Sequence, residues 1–404
     1  MSSFPKIILH PAKERSIQNK HPWLFSGAIK KTEGNPKEGD VVEVFSAAGL
    51  FLATGHYHAG SITVRIFSFE QVDPGYEFWK SKLQSAFEYR RNLNFRDNPA
   101  TNCYRLIHAE GDGMPGLIID IYNSVAVIQT HTLGMHAIKN HLVQALRELY
   151  GNKLSTIYDK SGDTMSRHAQ ARSSAGEQQQ LQISNELLFG NKTEEDVLEN
   201  GIMFHVNFSE GQKTGFFLDQ RENRKLLGAY TTGKKVLNTF AYSGGFSLYA
   251  LKNDAALVHS VDSSRKAAEW AEKNVLMNFK NAPHQFYAED VFDFMKKSEE
   301  TYDVIILDPP AFAKHLSAVK QATMGYRNLN TEAIRRIAKG GILFTFSCSQ
   351  VIDKELFRKI IFTAAAQARR NVRILHQLSQ PPDHPISIYH PEGEYLKGLV
   401  LYVE

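Results

Sequence analysis

The chain has 404 residues, 42% hydrophobic and 22% charged, with 47 lysines and arginines against 43 aspartates and glutamates for a formal net charge of +4. That is an ordinary globular composition with room for two or three domains, and its near-balanced charge permits a nucleic-acid partner without demanding one. Cys103 and Cys348 are the only two cysteines, which excludes a disulfide framework and a Cys-x-x-Cys zinc site. The opening MSSFPK segment lacks the charged and then apolar stretch of a secretory signal, and no apolar run approaches the roughly 18 residues of a membrane span. A cytoplasmic protein with no membrane and no metal partner is expected.

Residues 41–45, 50–54 and 62–67 are short runs rich in β-branched and aromatic side chains, separated by Gly-containing turns. They predict a small β-barrel or sheet. A helical pattern over 76–96 carries Lys80, Lys82, Arg90, Arg91 and Arg96, either a phosphate-facing surface or simply a solvated face. Residues 116–122 and 125–130 flank Asn123-Ser124 and predict a hairpin, with a helix over 135–150 completing an α+β middle region. The stretch 161–182 turns polar and loses apolar periodicity, as expected of a loop or linker. The implied division is 1–74, 75–187 and 188–404.

Beyond residue 201 strands and helices alternate, the pattern of a parallel sheet with crossover helices. Strands are expected at 235–239, 257–262, 285–288, 302–308 and 342–347, with helices at 265–278, 291–297, 323–338 and 354–370. Residues 372–375 and 399–403 have only an irregular segment between them, so this last pair is expected to be antiparallel. The fold class is α/β, a Rossmann-like sheet of seven strands preceded by a small β domain and an α+β domain.

Open α/β sheets bind ligands beyond the carboxyl ends of their strands, so the residues there are the candidates for chemistry. After the first strand, Asn238 to Phe246 forms a turn with Gly244 and Gly245 that opens a helix, where backbone can approach a ligand and free N–H groups point outward. The three-glycine dinucleotide fingerprint is absent, and Gly211-Gln212-Lys213-Thr214 only superficially resembles a P-loop. Asp262 ends the second strand, where a carboxylate can accept both hydroxyls of a ribose; capping of the next helix is the alternative. Asp290 follows the third strand and can receive an adenine amino group. A glycine turn and two such acids favour a nucleoside cofactor, S-adenosylmethionine ahead of a nicotinamide.

Asp308-Pro309-Pro310-Ala311-Phe312 and Ser347-Cys348-Ser349 end the next two strands. C5 of a pyrimidine is a poor nucleophile until a group adds at C6, and a thiolate adds well and leaves again. Cys348 has the residue type and position for that task, whereas Cys103 lacks any such context. Asp308 would then hold the N3/N4 edge of cytosine, as a protonated donor or as an acceptor. The same acid motif also fits methylation of an exocyclic amine on adenine or guanine, in which Cys348 has no chemical part. A base splayed from structured RNA could stack on Phe312, and Lys314 is a further candidate substrate contact.

At these motifs the chain resembles the bacterial 23S ribosomal RNA cytosine-C5 methyltransferases that carry an amino-terminal PUA domain. The resemblance covers nearly the whole chain and includes HPWLFSGA at 21–28, LIHAEGDGMPGL at 106–117, GQKTGFFLDQR at 211–221 and PEGEYLKG at 391–398. It implies a PUA-like domain, a central α+β domain and a class I methyltransferase domain using S-adenosylmethionine on ribosomal RNA. It also implies Cys348 as nucleophile, with Gln220, Arg221, Tyr242, Gly244, Asp262, Asp290 and Asp308 around cofactor and base; Asn238 and Ser263, beside them, complete the cofactor set. A homodimer is a further expectation for partners, and an RNA-binding protein with a degenerate cofactor pocket is the non-enzymatic alternative.

Overall fold

The computed structural model describes residues 4–162, 164–165, 183–313 and 315–404, so most of the expected polar segment at 161–182, and Lys314, lie outside the described residues. The chain divides into two units. One comprises residues 1–197, 206–218 and 382–393, and the other 198–205, 219–381 and 394–404.

The first unit begins with β1 (Lys6–Leu9), α1 (Arg15–Gln18), β2 (Trp23–Phe25), β3 (Ile29–Glu33), β4 (Val41–Phe45), β5 (Phe51–Tyr57) and β6 (Ile62–Ser68). These strands form one sheet in the order β2-β6-β5-β4-β1-β3. Strands β4 to β6 are the three expected runs. The sequence signal missed β1 to β3 because they are short, and β3 (IKKTE) carries only one apolar residue. Alternating side chains from β1, β4 and β6 bury Ile7, Leu9, Val42, Val44, Val64 and Ile66 in one core.

Next come α2 (Tyr76–Asn92), β7 (Cys103–His108), β8 (Leu117–Tyr122), β9 (Val125–Thr130), α3 (Leu133–Ala137), α4 (Lys139–Tyr150), β10 (Thr156–Asp159) and β11 (Glu186–Phe189). Their sheet runs β11-β10-β9-β8-β7, and the β8–β9 turn places Asn123 at φ 52° as its hairpin requires. The cations of α2 are largely engaged within the fold. Lys80 pairs with Glu148 at 2.7 Å, and buried Arg90 grips Asp112 and donates to the Asp383 carbonyl at 2.7 Å. The Gly211–Thr214 segment also has a structural explanation, because buried Thr214 donates to Asp120 at 2.5 Å while Arg105 clamps the same carboxylate at 2.8 and 2.9 Å.

A hairpin, β12 (Glu194–Glu199) and β13 (Ile202–Asn207), turns at Asn200 and Gly201, both with positive φ. The second unit then contains α5 (Arg221–Leu227), β14 (Lys235–Thr239), α6 (Gly245–Lys252), β15 (Leu257–Asp262), α7 (Arg265–Asn278), β16 (His284–Ala288), α8 (Val291–Lys297), β17 (Tyr302–Leu307), α9 (Val319–Arg336), β18 (Ile337–Ser347), α10 (Lys354–Ala368), β19 (Val372–Leu378) and β20 (Lys397–Val403). Its seven strands lie in the order β16-β15-β14-β17-β18-β20-β19.

Strands β14 to β18 are mutually parallel, whereas β20 runs antiparallel to both β18 and β19. The order reverses beside β14, so the loops after β14 and β17 diverge and leave a crevice at the carboxyl ends of the strands. The β17 and β18 strands are buried runs (YDVIIL and ILFTFS), consistent with a parallel sheet covered on both faces. Helix α9 ends at Arg336 and β18 starts at Ile337, so the expected boundary near 338–342 sits several residues too late.

Candidate active site

The strand ends of the second unit bring most of the sequence-selected residues to one edge of the sheet. In the order of the sheet, β15 delivers Asp262, β14 the turn 240–245, β17 Asp308 and β18 Cys348.

The turn after β14 is backbone-driven. Phe240, Tyr242 and Gly244 all take left-handed φ, at 54°, 46° and 80°. Two non-glycine residues in that region are costly, and such strain persists where the surroundings over-determine the loop. Here Asn274 of α7 donates its side-chain amide to the Ser243 carbonyl at 2.9 Å, and Tyr242 N–H donates to Asp262 at 3.0 Å. Gly244 is the amino-terminal cap of α6 and, as a glycine, offers no side-chain capping bond to the first-turn amides.

Asp262 is not the cap of α7. Ser264 takes that part by accepting from Ala267 N–H at 3.2 Å, which leaves Asp262 as a strand-end carboxylate holding the N–H groups of Tyr242 and Ser264. Ser263 is exposed next to it. Asp290 lies beyond the end of β16 and caps α8, one oxygen accepting from both Phe292 and Asp293 N–H at 2.9 and 3.1 Å. Asn238 is buried inside the sheet. Its amide donates to Ser247 at 2.9 Å, and Ser247 bonds Ser260 at 2.7 Å, so this side chain serves an internal polar chain.

The segment before α5 supplies the opposite side of the acid site. Asp308 is pushed up to about 7, first by burial and then by the neighbouring Asp219 carboxylate, against a hydrogen bond from Gln220 and the charge of Arg224. Tyr395 donates to Asp219 Oδ2 at 2.8 Å, while Asp219 Oδ1 is buried with no hydrogen-bond partner. Gln220 is buried, its oxygen accepting from Asn223 at 2.7 Å. Arg224 is locked to buried Glu199 by bonds of 2.8 and 2.7 Å, fixing the first turn of α5 beneath Gln220. Arg221 is buried beside Glu222, with Nε 3.2 Å from its carboxylate.

Cys348 is half-buried, with Sγ 4.0 Å from the Pro309 carbonyl oxygen, while Cys103 is fully buried. The flanking serines fix its position. Ser349 accepts from Ala313 N–H at 3.3 Å and bonds the Tyr326 hydroxyl at 3.0 Å, and Ser347 accepts from Ser349 N–H at 3.4 Å. The Cys348 loop is thereby tied to the segment after Asp308-Pro309-Pro310. Phe312 lies half-buried against Tyr326, ring centroids 4.6 Å apart, so one side of the ring is used by the protein.

Two contributors escaped the sequence reading. Asp219 stood unmarked between apolar residues and Gln220. Lys397, beginning β20, is 3% exposed and donates to the carbonyls of Ser349 at 2.6 Å and Tyr395 at 2.7 Å. The only sequence signal for either was membership of the GQKTGFFLDQR and PEGEYLKG segments. Among the described residues no helix is long and apolar enough to cross a membrane, and no group of three or more His, Cys, Asp or Glu could hold a metal.

Comparison with known proteins follows this geometry. A PUA-like domain matches residues 7–69, and an S-adenosylmethionine-dependent methyltransferase domain matches residues 105–398. Ribosomal RNA large subunit methyltransferase I of Aeromonas salmonicida is 38% identical over 98% of both chains, and that of Pseudoalteromonas atlantica is 38% identical over 98% of this chain and 99% of its own. A crystal structure of a SAM-dependent methyltransferase from Streptococcus mutans has the same fold, with a TM-score of 0.82 at 24% identity over 98% of this chain and 100% of that one. Another methyltransferase structure, complexed with SAH, gives 0.83 at 24% identity over the same shares. With class I topology, a PUA-like amino-terminal domain and full-length relatives of this kind, the chain belongs to the S-adenosylmethionine-dependent methyltransferase family.

Proposed function

We propose that this protein methylates C5 of a cytosine in large-subunit (23S) ribosomal RNA, with Cys348 forming a transient bond to C6. The observation that carries the reading is the pairing, on adjacent parallel strand ends, of a half-buried cysteine and an acid whose proton is held up to about 7. The names of the full-length relatives support ribosomal RNA as the substrate class.

The residues fit the cofactor. Asp219 Oδ1 is an orphaned acceptor suited to an ammonium group, Asp262 retains lone pairs for ribose hydroxyls, and the uncapped amides of α6 suit a carboxylate. In this reading Tyr242, Gly244 and Ser263 would border the ribose, and the remaining oxygen of Asp290 would accept from the adenine amino group. S-adenosylmethionine bound there supplies an electrophilic methyl group.

The chain's own residues then have distinct tasks. The Cys348 thiolate adds to C6, and its electron pair raises the nucleophilicity of C5. Asp308, in its protonated form, donates to N3 and draws charge off the ring as the adduct forms. Once C5 has been methylated, its proton passes to solvent water, the C–H electrons restore the C5–C6 double bond, and the C6–S bond breaks with its electrons returning to sulfur. Phe312 presents its remaining face to the flipped base.

Replacing Cys348 with Ala is expected to abolish turnover on ribosomal RNA and leave S-adenosylhomocysteine binding nearly unchanged by calorimetry. Undiminished methylation, or methylated adenine or guanine on nucleoside mass spectrometry, would overturn the mechanism in favour of exocyclic-amine chemistry. Absence of any S-adenosylhomocysteine binding by the wild-type chain would favour a non-catalytic RNA-binding protein.

A further inference from the structure

We propose that Lys397 is the positioning residue that keeps Cys348 ionised, taking the thiol proton and holding the thiolate in place through its charge and its grip on the Cys348 loop. The inference rests on the proposed nucleophilic part of Cys348, and four observations support it.

The first is topological. Strand β20 runs antiparallel to β18 with Lys397 opposite Ser347. An antiparallel strand starts at the edge where its parallel neighbours end, so β20 delivers its first side chain to the catalytic edge. The second is the hydrogen bonding. Nζ donates to the carbonyl of Ser349, the residue after Cys348, and to that of Tyr395, leaving one of the three ammonium donors beyond those bonds.

The third is burial without a carboxylate. Lysine is almost never fully buried unless paired, yet no Asp or Glu lies within ion-pair distance of Lys397 among the described residues. Glu394, close by in sequence, is committed to Lys354 at 2.5 Å. The fourth is electrostatic. Burial pushes Lys397 down to about 8, and the strongest attraction opposing that fall is the charge of Cys348, ahead of Glu394 and Asp353, with Lys354 acting the other way. Among the described residues Tyr326 of α9 also faces Cys348; burial raises it, so it stays neutral. Lys397 is thus a buried cation on which the charge of Cys348 acts.

The acid–base step is balanced within the pair. The S–H bond gives its electrons to sulfur, its proton passes to Nζ, and the resulting ammonium and thiolate attract each other across a poorly hydrated site. When the thiolate leaves C6 at the end of turnover, the same ion pair is restored with no outside reagent.

The test needs no RNA. The rate of iodoacetamide alkylation of Cys348, read by peptide mass spectrometry against pH, reports the thiol directly, and fully buried Cys103 serves as the internal non-reacting control. Wild type is expected to titrate below the ordinary thiol value of about 8.5. Lys397→Met should move the midpoint above it and slow alkylation at about pH 7 by about tenfold or more. Lys397→Arg, which keeps the charge, should restore most of the wild-type profile.

A Lys397→Met protein that binds S-adenosylhomocysteine normally and keeps the wild-type profile would overturn the proposal. So would a wild-type midpoint at or above the ordinary value, which decides the matter even if the variant fails to fold. Those outcomes strike only the lysine; an active Cys348→Ala enzyme would instead strike the cysteine mechanism.

Discussion

Asp308 holds its proton far more tightly in the folded chain than out of it. Folded, it keeps the proton up to about 7, whereas the unfolded carboxyl releases it near 3.8. Between those values folding takes up a proton, so the acid favours the folded state below the window and costs stability as pH rises through it. Asp308→Asn, which mimics the neutral form, is therefore expected to be more stable than wild type at about pH 7.5 by about 1–3 kcal/mol, with the gap closing by about pH 4. Urea unfolding at the two pH values measures this; parallel pH dependence in both proteins would refute it. At this scale the sequence exposed Asp308 and Cys348 because each ends an apolar run. It did not expose their setting: the acid's proton affinity comes first from burial and then from Asp219, and Lys397, whose charge acts on the thiol, carries a side chain that no local pattern distinguishes from an ordinary strand-start lysine.

Secondary-structure elements in the second unit follow their sequence signals closely, because buried parallel strands read as continuous apolar runs bounded by Gly, Pro and Asp. The observed β14 and β15 coincide with the expected 235–239 and 257–262. The β12–β13 hairpin carried an Asn200-Gly201 turn signal that passed unread because its strands are acidic on one side and irregular in alternation. The strand-to-helix turn at 240–244 is the element most sensitive to substitution. Alanine at Gly244 would adopt an unfavourable φ of 80° and place its Cβ 3.2 Å from the Cβ of Ala271. Gly244→Ala is expected to lose about 1–2 kcal/mol of stability and to weaken S-adenosylhomocysteine binding several-fold. An unchanged melting temperature and calorimetric affinity would show that the turn tolerates a side chain.

Across the whole molecule, chain connectivity and folding units do not coincide. Residues 206–218 and 382–393 belong to the first unit although the sequence around them builds the second. Within the first unit, Thr214 and Arg105 satisfy buried Asp120, and Asp383 accepts from Arg105 N–H at 3.0 Å while its carbonyl accepts from Arg90. A fragment ending at Val197 would lose those partners and strand buried polar groups, each at about 1–3 kcal/mol. It is expected to melt well below the first transition of the full chain in calorimetry; an equally stable fragment would refute this. The sequence by itself determined the α/β class and marked Asp308 and Cys348 as residues at strand ends, because apolar periodicity and residue type act locally. Only the tertiary structure decided that Asp308 is buried near the charge of Asp219, which helix caps occupy Asp290 and spare Asp262, and that Lys397 stands beside Ser347. Those facts depend on register between strands far apart in the chain, and on desolvation, which no short stretch of sequence encodes.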